Sequence, residues 1–149
     1  MIKVIAKFEE LYKANLKDSG FDLKSSENVK IRPLMRKVIS TGIYLDMRDF
    51  KSGMENVGIE CQVRPRSGNA FKKGLTVLNT PGTIDQYYTG EIKVILYNTS
   101  DKIINIEKGD RVAQLVFSPV FNSIDIKYVN NINISKNIRG SKGFGSSGE

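Results

Sequence analysis

The sequence predicts an all-β fold in one domain, on three observations. Short runs of β-branched and aromatic residues recur at even spacing, turn residues separate them, and no long stretch keeps a helical apolar period. The first segment alternates Ile2, Val4, Ala6 and Phe8, the pattern of an edge strand. Glu9 to Lys17 has room for one or two helical turns before Asp18-Ser19-Gly20 interrupts them. Further strands are expected at Val29–Ile31, Lys37–Leu45, Val57–Val63, Glu91–Tyr97 and Arg111–Phe117. In the Glu91–Tyr97 run Ile92, Val94 and Leu96 share one face, opposite Lys93, Ile95 and Tyr97. Lys108–Phe117 has some helical character, but Val112, Val116 and Phe117 favour a strand. At most one short helix fits, between Arg66 and Leu75. Strands this short and regular imply a sandwich or barrel rather than βαβ units.

The tail is different. Asn130 to Asn137 is polar with isolated isoleucines, and Gly140 to Glu149 is rich in Gly and Ser, too poor in apolar surface to order itself. It is either a disordered end or an arm that orders over a ligand. Arg139 and Phe144 favour the arm, because a mere linker needs neither a guanidinium nor an aromatic ring.

At 149 residues the chain has the size of one domain, and its apolar and charged fractions of 40% and 26% are ordinary for a globular protein. No apolar run is long enough to span a bilayer, and the N-terminal residues lack a signal-peptide core, so a cytoplasmic location is expected. The chain has no histidine and a single cysteine, Cys61. That removes Ser-His-Asp and Cys-His catalysis, internal disulfides and nearly every zinc site. A general base must be a carboxylate, a lysine, a tyrosine or Cys61 itself, and any metal should be a hard cation on oxygen ligands. The net charge of +7 is compatible with an anionic partner. The charges are spread along the chain, however, so most are assigned to surface solvation, and no stable nucleic-acid binding is expected.

Five segments carry residues suited to a nucleotide: Ser19–Leu23, Arg64–Ala70, Asn79–Gly90, Lys108–Leu115 and Arg139–Gly148. Arg66-Ser67-Gly68 offers a guanidinium fork, a hydroxyl and an unhindered N–H to phosphate oxygens. The bland alternative is a turn with Ser67 as a helix N-cap. Asp85, between two turns, belongs on a tight hairpin. There it is either a turn-former or, without histidine, the group that orients or deprotonates a water. Gln114 is a polar residue in an apolar strand, and Asp110-Arg111 reads as a structural ion pair. The Arg139 segment lacks the P-loop spacing, which rejects a P-loop NTPase. Phe144 is suited to stacking on a base.

In order and spacing, these five segments resemble the five motifs of the trimeric dUTPase family, over nearly the whole chain. The resemblance implies a distorted, jelly-roll-like β-barrel subunit of the β-clip type over residues 1–138, with 139–149 as an arm closing over a neighbouring subunit's site. It implies a homotrimer, Mg²⁺, and hydrolysis of dUTP to dUMP and pyrophosphate, which limits uracil in DNA and supplies dUMP for dTTP synthesis. Asp85 resembles the aspartate that activates the water attacking the α-phosphorus. Asn79, Thr83, Ile84 and Asp85 resemble the hairpin that accepts uracil, and Tyr88 the tyrosine under the deoxyribose. Arg66, Ser67 and Gly68 match the phosphate-binding motif, Gln114 a phosphate-contacting glutamine, and Lys93 a further nucleotide contact. Arg139 matches the γ-phosphate arginine, Phe144, followed by Gly145, the aromatic that covers uracil, and Asp22 the aspartate that reaches Mg²⁺ through water.

Four positions depart from the family pattern: Phe21, Arg64, Tyr87 and Lys142. None removes an expected catalytic group. Two other readings share the fold: a dCTP deaminase, and a nucleotide-gated regulatory protein.

Overall fold

The computed structural model describes residues 1–130. The all-β expectation holds, with ten strands and one short helix among the described residues. One four-stranded sheet runs in the order β1 (Lys3–Ala6), β4 (Arg36–Asp46), β8 (Glu91–Asn98), β6 (Leu75–Val77). The other runs β2 (Gly20–Lys24), β10 (Arg111–Phe121), β5 (Val57–Arg64), β7 (Gly82–Ile84), and β3 (Val29–Ile31) pairs with β9 (Ile104–Ile106). Every ladder is antiparallel. Among the described residues the sheets stay open rather than closing into a barrel, with β1, β6, β2 and β7 as their edges.

Alternation builds the core. Ile39, Ile43 and Leu45 of β4 and Ile92, Val94 and Leu96 of β8 face inward from the first sheet. Leu23, Cys61, Val63 and Leu115 face them from the second, in one buried cluster. In β4 the register slips between Ser40 and Ile43. Gly42 takes φ +71° there, which suits glycine in a bulge, and its carbonyl accepts the Lys7 N–H at 2.8 Å. The short helix α1 (Ser67–Lys73) forms where expected and ends on Gly74 in the left-handed region.

Residues Glu9 to Lys17 are not helical. The Asp18 carboxylate accepts the Asn15 N–H at 2.9 Å, and the Tyr12 carbonyl accepts the Asp22 N–H at 2.8 Å. Backbone groups a helix would have used are thus spent on a turn and on a bridge to β2. β1 is the predicted edge strand, but this chain leaves its apolar face uncovered. Ile2, Val4 and Ala6, with Leu11, Phe21 and Phe117, line an open groove of about 550 Å³. No described helix is long and apolar enough to cross a membrane.

One buried polar side chain fixes the end of β8. The Asn98 amide donates to the carbonyls of Ile31 (3.0 Å) and Lys102 (2.7 Å) and accepts the Ser100 N–H (2.9 Å). Asn98→Ala removes the partner of three backbone groups, of which only that of Ile31 is on a buried residue, and is expected to cost about 1–3 kcal/mol, read as a lower urea midpoint at unchanged slope. Cys61 is fully buried, and burial, helped by the Glu60 charge, pushes its thiol up to about 12. Cys61 is thereby removed as a general base. The native protein should not react with a thiol reagent at neutral pH, whereas one equivalent should react in denaturant.

Candidate active site

The chain crosses between the two sheets three times in succession after β5, and six of the eleven predicted site residues that the structure describes lie on these crossings. Helix α1 carries it from β5 to β6, residues 78–81 return it to β7, and residues 85–90 take it to β8.

At the first crossing, Arg66 occupies the N-cap position, and no side chain caps the helix. Ser67 is therefore not the N-cap. It begins the helix, exposed, and its N–H and that of Gly68 have no acceptor within the helix. Gly68 faces open space, since a Cβ added there would meet nothing within 4 Å. Beside this turn stands Asp22, 7% exposed. Arg111 Nη1 donates to its Oδ2 at 3.4 Å. Arg66 Nε lies 3.1 Å from Oδ1 but without the alignment of a hydrogen bond, so Oδ1 has no hydrogen-bond partner.

The expected Asp110–Arg111 pair does not form. The Asp110 carboxylate accepts the Glu107 N–H at 3.0 Å, closing the turn before β10, and Arg111 is left to reach Asp22. Gln114 is half-buried and sits directly opposite both Asp22 and Arg64 in the ladders, so the three share one face of the sheet.

A cleft of about 170 Å³ opens here, lined by Arg66, Arg111 and Asp110 together with Asn69 and Lys73. Asn69 also holds the Arg111 carbonyl through Nδ2 at 2.9 Å. Sequence reasoning missed Asn69, Lys73 and the part played by Arg111. The signal for the first two was present: they lie three and seven residues after Arg66, on one helix face.

The second group lies on the later crossings. Thr83 and Ile84 belong to β7, an edge strand whose outward N–H and C=O groups no described strand uses. Asn79 folds against the start of that strand: a Cβ on Gly82 would come within 3.0 Å of its amide nitrogen. The expected hairpin is a turn between sheets, because β6 and β8 pair with each other and β7 pairs with β5. The same holds for Asp85, which is exposed just past β7 on a turn closed by the Tyr88 N–H to its carbonyl at 3.0 Å. The Tyr88 hydroxyl donates to the Glu91 carbonyl at 3.0 Å, and its ring covers Gly90, where a Cβ would lie 2.6 Å from Cζ. Lys93 points away from the core, 3.6 Å from the Glu91 carboxylate.

Within one chain these are two separate groups, with no hydrogen bond or ion pair recorded between them among the described residues. Arg139, Phe144 and Gly145 lie outside the described residues.

No described cluster of three metal-ligating side chains exists. One buried carboxylate, paired in charge with Arg66 and Arg111 and with one oxygen lacking a hydrogen bond, suits a water-mediated contact to a hard cation whose direct ligands are phosphate oxygens and water. Asp22 fits that donor set.

The dUTPase family profile matches residues 6–148. The deoxyuridine 5'-triphosphate nucleotidohydrolase of Nautilia profundicola is 47% identical over 131 residues, covering 88% of this chain and 84% of that protein. Its counterpart in Hydrogenobaculum sp. is 49% identical, covering 87% and 83%. Among solved structures, the dUTPase of Staphylococcus bacteriophage 80alpha with dUpNHpp superposes at a TM-score of 0.82 and 26% identity, covering 100% of this chain and 99% of that one. A mutant dUTPase from phage phi11 of S. aureus, described with a structural Mg(II) ion, has the same fold at a TM-score of 0.74 and 20% identity, covering 90% and 99%. On its sequence, its fold and the motifs on its sheet crossings, this chain belongs to the dUTPase family.

Proposed function

We propose that the protein hydrolyses dUTP to dUMP and pyrophosphate, in a homotrimer whose copies jointly build each site. The observation that carries this reading is the uncapped start of α1 beside Asp22. There the Ser67 hydroxyl and two backbone N–H groups follow Arg66, which with Arg111 flanks Asp22, and Gly68 leaves room for a ligand. Such a set suits anionic oxygens such as those of a phosphate chain.

The roles follow from the chemistry. Arg66, Ser67, Gly68 and Gln114 hold the triphosphate, and the cleft residues Arg111 and Lys73 add positive charge beside it. Asp85 orients a water and takes its proton. The water oxygen bonds to the α-phosphorus as the bridging P–O bond opposite breaks, and pyrophosphate leaves with that electron pair. Positioning and charge neutralisation supply most of the acceleration. Asp22 would hold Mg²⁺ through water, and the ion would neutralise part of the triphosphate's charge.

The open edge of β7, with Asn79, Thr83 and Ile84, offers backbone groups to the uracil edge. In this reading the completed site excludes a thymine methyl, and cytosine presents the wrong donors. Tyr88, fixed over Gly90, lies under the sugar and rejects a 2′-hydroxyl. Lys93 is a further nucleotide contact.

The separation of the Arg66 and Asp85 groups in one chain supports assembly between copies. So does the uncovered apolar surface: the groove beside β1, and Ile124, Ile126, Tyr128 and Val129, each at least half exposed. In this reading residues 1–138 form the body. The arm 139–149 brings Arg139 to the γ-phosphate and lays Phe144, with Gly145 beside it, over uracil on a neighbouring copy.

Pyrophosphate release with dUTP, dTTP, dCTP and UTP in parallel tests the function. Turnover is expected with dUTP, and at least about 100-fold less with the others, given what a buried polar mismatch costs. Ammonia release from dCTP points to a deaminase, and binding without turnover points to the regulatory reading. Asp85→Asn should lower kcat by more than about 100-fold while dUTP still binds, since general-base catalysis contributes about 10²–10⁴-fold. Parental turnover by this variant removes Asp85 from its role.

A further inference from the structure

Gln86, next to Asp85, belongs to none of the motif roles above, yet its side chain occupies a built position. Strand β7 pairs with β5 up to Ile84 opposite Cys61. Two residues further the ladder would set Gln86 opposite Ile59, and the backbone instead turns away. The Gln86 side chain replaces the missing rung. Its Oε1 accepts the N–H of Ile59, a buried residue, at 3.3 Å.

The other end of the same amide donates from Nε2 to the Phe50 carbonyl at 3.4 Å. That carbonyl is itself fixed. Phe50 packs against the core, and its N–H closes a turn onto the carbonyl of the fully buried Met47 at 3.0 Å. Gly58 makes room for the arrangement, since a Cβ there would come within 2.8 Å of Gln86 Oε1. Gln86 is half-buried between two exposed neighbours, Asp85 and Tyr87. Its inward anchor therefore fixes the chain immediately after Asp85.

We propose that Gln86 is a positioning residue, bridging β5 and the β4–β5 loop so that the Asp85 carboxylate is held on the line of water attack. The inference rests on the reading of Asp85 as the base. Asp85 is then bracketed on both sides: the ladder at Ile84 precedes it, and the Gln86 amide and the Tyr88 N–H follow it. With the anchor gone, the turn at 85–88 keeps its own closing hydrogen bond and loses its orientation to the sheet.

Gln86→Met keeps the length and removes both hydrogen bonds. It is expected to lower kcat about 10- to 100-fold, the scale of a displacement near 1 Å, with KM for dUTP and affinity for dUpNHpp within about twofold of the parent. Faster hydrogen exchange at the Ile59 amide should accompany the loss. Gln86→Glu keeps an acceptor for Ile59 and loses the donor to Phe50. It should fall less, and it serves as the test if the methionine variant does not fold. Parental kcat in these variants overturns the proposal, as does a loss of dUpNHpp affinity in step with kcat. In an Asp85→Asn background Gln86→Met should cost nothing more, and a further tenfold loss there also overturns it. If Asp85→Asn alone keeps parental turnover, the base assignment has failed. If that variant is inactive and Gln86→Met is normal, only the positioning role has failed.

Discussion

Two open sheets, each apolar on one face, can be satisfied only by covering each other, and this constraint organises the molecule. Neither sheet closes, so each burial partner lies across the core and the chain must pass repeatedly from one to the other. The three passages after β5 are short, and each is held at both ends by ladders that cannot slip without turning core residues outward. Loops anchored in this way are stiff enough to hold chemistry. The residues proposed to hold phosphate, the edge proposed to read the base, and Asp85 all sit on such passages or beside them.

The fold was largely legible from the sequence, because alternation is a local signal. Ile92, Val94 and Leu96 announce β8, and the helix between Arg66 and Leu75 follows from its turn residues. The failures occurred where distant groups compete for the backbone. Glu9–Lys17 has a passable helical composition, but the Tyr12 carbonyl is claimed by Asp22 and the Asn15 N–H by Asp18. The hairpins expected around Asn79 and Asp85 are real turns, yet their strands belong to different sheets, and sheet membership is not written in a local pattern.

The candidate site divides in the same way. Residue types and their order were readable: Arg66-Ser67-Gly68 and Asp85 needed no coordinates to stand out. Pairing was not readable. Asp110 and Arg111 are adjacent in sequence and opposite in charge, but the turn before β10 uses the first and frees the second for Asp22 on β2. A buried carboxylate is costly to leave without counter-charge, and that cost outweighs adjacency. Gln86 was passed over for a related reason, since its partners Phe50 and Ile59 are 36 and 27 residues away.

Gly68 shows where the demands of the scaffold end. Its missing side chain relieves no crowding within the chain, and its backbone is not in a left-handed conformation. A methyl group there would leave the subunit's architecture untouched, whatever it did to an incoming nucleotide. That position therefore separates tolerance of the scaffold from tolerance of the cargo: the first is permissive, and only the second can be strict.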